Sequence, residues 1–228
     1  MKSPTHAHTS PLRGICYKLL SVAIFVVMAS LIKATAADVP PWQAAFFRSL
    51  FALPVILVWL ALRRELRKGV VTKNPWGHVW RGVIGTSAMV LGFAGLGLLP
   101  LPEVKALGYT APLLAVVFAA LFLGERIRGF RISMVLLGIL GVMVILFPRL
   151  TLLGKGALDP SEALGLFFVL SGAVLVAVVQ VMIRKLTQTE TTTAIVFYFS
   201  ISATVITLFT MPFGWTLPSP TTRSEERR

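Results

Sequence analysis

The chain has 228 residues, 56% of them hydrophobic and 14% charged, and its 22 Lys and Arg against 9 Asp and Glu give a formal charge of +13. A water-facing domain of this size carries roughly a quarter of its residues as charges, so these proportions, with a mean hydropathy of +0.81, exclude most soluble classes and point to a lipid bilayer. A nucleic-acid binder gathers its basic residues on a polar surface. Here they are scattered between apolar runs, which argues against a nucleic-acid partner and for contact with lipid headgroups.

A helix needs about 20 mostly apolar residues to cross the ~30 Å hydrocarbon core. Seven segments qualify in chain order: 15–37, with Lys18 and Lys33 near its ends; 42–62, interrupted by Arg48; 82–101; 104–123; 132–147; 163–183; and 193–213. None alternates apolar and polar residues as the strands of a membrane barrel do, so the predicted fold class is all-α, a polytopic bundle of transmembrane helices. Small residues at helical spacing allow close approach: Ala88 and Gly92 in the third helix, Gly138 and Gly141 in the fifth, Ala173 and Ala177 in the sixth. The run 19–32 followed by Ala34-Thr35-Ala36 has the look of a cleavable leader, but Lys33 interrupts it and six more spans follow. An uncleaved first helix is the expectation.

With the N-terminus inside, fourteen Lys and Arg fall on inner segments and six on outer ones, which under the positive-inside rule favours a cytoplasmic N-terminus in the inner (plasma) membrane. The tail departs from this pattern, because seven crossings put Arg223, Arg227 and Arg228 outside. The expected organisation is a cytoplasmic tail (1–14), five helices (15–149), a loop (150–161), two helices (162–213) and a disordered basic end (214–228).

Catalytic motifs are absent, so an enzyme is not expected. There is no phosphate-binding loop, no HExxH and no nucleophile elbow, and His6, His8 and His78 fall in the tail or a loop. No metal site or cofactor is implied; the lone Cys16 excludes an internal disulfide and a cysteine-based cluster. Every Asp and Glu lies in a loop, a helix end or the tail, so the mid-membrane carboxylate of many proton-driven pumps is missing. Lys33 and Arg48 are the cations most clearly inside spans. Lys33 lies about four residues, or ~6 Å, from the end of its helix, within reach of the interface, whereas Arg48 is about six residues, or ~9 Å, deep. A guanidinium at that depth faces the bundle interior and needs a carboxylate, carbonyls or an anionic ligand. Tyr109, Gln180 and Tyr198 are the further candidates for a cavity lining, and the predicted solute-binding set is Arg48, Lys33, Tyr109, Gln180 and Tyr198. Pro54 and Pro112 are expected to disturb their helices.

The stretch 102–147, PEVKALGYTAPLLAVVFAALFLGERIRGFRISMVLLGILGVMVILF, resembles the end of an EamA-type domain of the drug/metabolite transporter superfamily, with Pro112 in mid-helix, the Gly124-Glu125-Arg126 turn, and Gly138 and Gly141 in the helix after it. The run FFRSLFALP around Arg48 is similar to the subgroup described as S-adenosylmethionine uptake transporters. The resemblance implies a carrier of small organic solutes working by alternating access, built from ten helices in two inverted five-helix repeats with a site near the midplane. An offset of 152 residues pairs Val22 with Val174, Lys33 with Lys185 and Phe47 with Phe199. Against that pattern the chain holds seven helices of ten and reads as a truncated member. The alternative expectation is therefore a non-transporting fragment or accessory subunit, and a homodimer is one arrangement that would supply the missing surface.

Overall fold

The computed structural model describes residues 11–124, 129–154 and 159–216. They form α1 (Pro11–Thr35), α2 (Pro41–Leu62), a short α3 (Leu66–Val70), α4 (Pro75–Leu98), α5 (Leu101–Gly108), α6 (Thr110–Leu123), α7 (Gly129–Gly154), α8 (Pro160–Leu186) and α9 (Thr192–Leu208), then one 3-10 turn at Met211–Phe213. Five stretches are long and apolar enough to cross a membrane, with α5 and α6 counted together as Leu101–Leu123; Ile132–Phe147 and Thr192–Leu208 are shorter apolar helices. The all-α membrane bundle expected from the sequence is what the described residues form, with the apolar helices in the expected order.

Helix starts follow local chemistry. Pro41, Pro75 and Pro160 occupy first-turn positions where a missing N–H costs nothing. The Asn74 side chain accepts from Gly77 N at 3.0 Å, Asp159 from Ser161 N at 2.9 Å and Thr191 from Ala194 N at 3.2 Å. The Asn74 cap sets the start of α4 at Pro75, seven residues before the expected 82, and so carries His78 and Arg81 into the helix. The fourth span breaks at Tyr109 between α5 and α6. Pro112 lacks the N–H that would bond the Gly108 carbonyl, and its ring crowds that carbonyl.

The centre of the bundle is α4. Its most extensive interface is with α8, and it also packs on α9, α2, α1 and α5. Glycine makes this closeness achievable: a methyl at Gly95 would overlap Val169, one at Gly82 would overlap Ser202, and one at Gly165 would come within 2.8 Å of Leu99 and 3.0 Å of Leu98.

Polar ties hold both ends. At the end carrying the α1–α2 turn, Gln43 donates to Thr216 O at 2.7 Å and accepts from Thr216 N at 3.0 Å, while Trp215 packs on Phe46 with ring centroids 4.8 Å apart. Trp215 and Thr216 therefore depart from the disordered segment expected over 214–228; residues 217–228 lie outside the described part. At the opposite end, Glu190 in the α8–α9 turn accepts from Lys73 N at 2.7 Å, Asn74 N at 2.9 Å and the Thr72 hydroxyl at 2.9 Å. His78 Nε2 stands 3.8 Å from its other oxygen. Burial pushes the Glu190 carboxyl up, but the Lys73 N–H, the Thr72 hydroxyl, the Asn74 N–H and the nearby His78 together hold it below the usual carboxylate range. His78, expected in a loop, is buried at 2% exposure and stacks against Tyr198.

Candidate functional site

A cavity of about 860 Å³ runs along α4, walled by α1, α5, α6, α8 and α9 and reached from α2 by Arg48. Its α4 lining extends from Arg81 to Leu96. The fifteen steps between them at ~1.5 Å each make ~22 Å of helix, most of the ~30 Å hydrocarbon thickness. The walls are largely apolar, with Phe25, Met28, Phe93 and Phe199 among them, and the polar groups are few: Lys18, Ser21, Arg48, Arg81, Lys105, Tyr109 and Gln180. Four of these are cations, and no carboxylate is among the described lining residues.

The two arginines are both partly buried. Arg48 projects from the second turn of α2, and its Nη1 rests against Met89 Sδ. A thioether is a weak acceptor, so the contact leaves most of the guanidinium's hydrogen-bonding capacity unused. Arg81 lies with its Cζ 4.0 Å from the ring centroid of Phe199, a cation–π contact that holds the charge over an aromatic face. Its Nη1 fills the space above Gly85, where a Cβ would sit 2.7 Å away. The Nε and Nη1 of Arg81 are buried and have no hydrogen-bond partner. A buried donor left unpaired costs about 1–3 kcal/mol, more when charged, so this arrangement is suited to an acceptor that arrives with a ligand.

Of the five residues singled out in the sequence, the structure brings three together: Arg48, Tyr109 and Gln180 line the one cavity. Lys33 and Tyr198 lie elsewhere. Lys33 Nζ donates to Leu99 O at 3.0 Å and Gly97 O at 3.2 Å, neutralising the carbonyls at the C-terminal end of α4, where a cation is favoured. The Tyr198 hydroxyl donates to Val70 O at 2.7 Å, anchoring the end of α3 to α9. Sequence reasoning passed over Arg81, Lys18 and Lys105 because it counted them as topology markers. For Arg81 a signal was present: Asn74-Pro75 is a helix start, and a helix beginning there places Arg81 nearly two turns inside.

Among the described residues no group of three or more His, Cys, Asp or Glu stands close enough to hold a metal ion.

Comparison with known proteins gives the family. Residues 12–147 match the EamA-like transporter family. The chain is 32% identical over 206 residues to the pseudopaline exporter CntI of Pseudomonas aeruginosa, a match covering 89% of this chain and 66% of that protein. It is 24% identical over 208 residues to the S-adenosylmethionine uptake transporter of Rickettsia prowazekii, covering 91% and 67% respectively. With the riboflavin transporter of Rhizobium johnstonii it shares 33% identity over 149 residues, 65% of this chain and 47% of the relative. The chain thus spans about two thirds of the length of the first two relatives. No solved structure matches it significantly. A match over more than half of the chain, on the helices that form most of the cavity, establishes that the protein belongs to the EamA-like transporter family of the drug/metabolite transporter superfamily.

Proposed function

We propose that this chain forms the solute path of an inner-membrane carrier for a small organic metabolite, that the path is the cavity along α4, and that it opens alternately to the two faces. The observation that carries this reading is the cavity's extent along α4, from Arg81 to Leu96, lined by cations and by Tyr109 and Gln180 inside otherwise apolar walls. Long-chain cations stranded in such walls are costly unless they serve a water-filled path or a ligand. On this reading Arg48, Arg81, Tyr109 and Gln180 contact the solute, whereas Lys33 and Tyr198 brace the helix ends. The N-terminus faces the cytoplasm, which sets Arg63, Arg64, Arg67 and Lys73 against the inner leaflet. The relatives' names describe both uptake and export and three different solutes, so direction and cargo are properties of the individual cavity.

Alternating access has a test that needs no knowledge of the cargo. Cys16 is the only cysteine, and Gly92 lines the cavity with open space around the position of a Cβ. In a Cys16→Ser background, Gly92→Cys in sealed vesicles is expected to react with a membrane-impermeant thiosulfonate added from either face. Reaction from one face only, or from neither, contradicts a carrier.

A further inference from the structure

We infer that the ligand of this cavity is a dianion: a small dicarboxylate whose two charged groups engage Arg48 and Arg81 together, with its hydrocarbon spacer against the aromatic wall. The inference rests on the carrier reading only in using the same cavity.

The geometry comes from α4 itself. Arg81 Nη1 sits above Gly85, and Arg48 Nη1 sits against Met89. Gly85 and Met89 are four residues apart, so both guanidiniums reach the same face of α4. They are close enough to repel one another. Two like charges held this near in low dielectric call for two compensating charges, and no described lining residue supplies one. Lys18 and Lys105 lie on other helices and have flexible stems that can carry their ammonium groups toward water; an arginine stacked on Phe199 at 4.0 Å is held in place.

A monoanion satisfies one guanidinium and leaves the second uncompensated. A dication or a neutral solute leaves both unpaired. Two carboxylates give each planar fork the bidentate partner it fits. In the same cavity Phe25, Phe93 and Phe199 offer apolar surface to a short methylene spacer, and Gln180 offers an amide to any further polar group.

Calorimetric titration of the 228-residue chain in lipid nanodiscs with glutarate, butyrate and 1,5-diaminopentane tests this. The three probes share a short methylene chain and differ in charge. Glutarate is expected to bind at least about tenfold more tightly than butyrate, a difference of one charge-assisted contact, with no binding of the diamine. Arg48→Gln and Arg81→Gln are each expected to bring glutarate down to the butyrate level. Equal affinity for glutarate and butyrate, or preference for the diamine, overturns the dianion, and because both are read on the unmodified protein they do not depend on either variant folding. Failure here and failure of the carrier reading are separable: glutarate binding that depends on both arginines, with Gly92→Cys reactive from one face only, sinks the carrier and keeps the dianion site, and two-faced reactivity without glutarate preference does the reverse.

Discussion

Arg81 and Phe199 meet face-on across the α4–α9 interface, the guanidinium carbon 4.0 Å from the ring centroid, and Gly85 is what leaves room for them. A Cβ at Gly85 would stand 2.7 Å from Arg81 Nη1 and 3.0 Å from Phe199 Cε2. The guanidinium is the movable end of a flexible side chain, so Gly85→Ala is expected to leave the protein folded and displace the charge. Affinity for glutarate should fall by about tenfold, the loss of one charge-assisted contact, with melting temperature nearly unchanged. Calorimetry and a thermal melt on the same preparation separate the two effects.

Glu190 should control stability at acid pH. Its carboxyl is held below the ordinary value by three donors and His78. A carboxylate with a depressed folded value contributes its full stabilisation above the unfolded value of about 4.3, and loses it as pH falls from there through the folded value. Wild-type melting temperature is therefore expected to drop below about pH 4, with Glu190→Gln less stable by about 2 kcal/mol near neutrality and flatter across the acid range. Melts from pH 3 to 7 read both curves.

Lys33 is expected to act through stability alone. Its two hydrogen bonds close the carbonyls of Gly97 and Leu99, so Lys33→Met should cost about 1–3 kcal/mol and leave glutarate affinity within about twofold. A large loss of affinity without loss of stability would return Lys33 to the solute site.

The α4–α8 contact should tolerate no added volume. Gly95 faces Val169 and the backbone of Gly165, so Gly95→Val is expected to destabilise the bundle by about 1–3 kcal/mol through overpacking, with partial recovery in the double variant Gly95→Val with Val169→Ala. Additive losses in the double variant would show that the two positions do not share one contact.

Much of this arrangement is legible in the sequence. Membrane spans announce themselves because the bilayer demands a fixed length of apolar helix, and Arg48, Tyr109 and Gln180 stand out as polar residues inside such runs. Arg81 does not, since a charge next to an apolar run reads as its boundary until the Asn74-Pro75 cap is given its due. The roles of Lys33 and Tyr198 are set by partners 66 and 128 residues away in the chain, and no local pattern encodes those pairings. The same holds for Thr216, which reaches Gln43 across 173 residues. A polar tail composition cannot show that two of its residues dock on α2.

The cationic character of the path can be measured directly at Gly92→Cys in the Cys16→Ser background, by comparing the reaction rates of an anionic ethylsulfonate thiosulfonate and a cationic trimethylammonium thiosulfonate. The reference is the same rate ratio for N-acetylcysteine in bulk solution. Arg48 and Arg81 in low-dielectric walls should concentrate the anion, giving a ratio at least about tenfold above the reference that collapses on Arg81→Gln. A ratio at or below the reference would contradict an anion-selective solute path along α4.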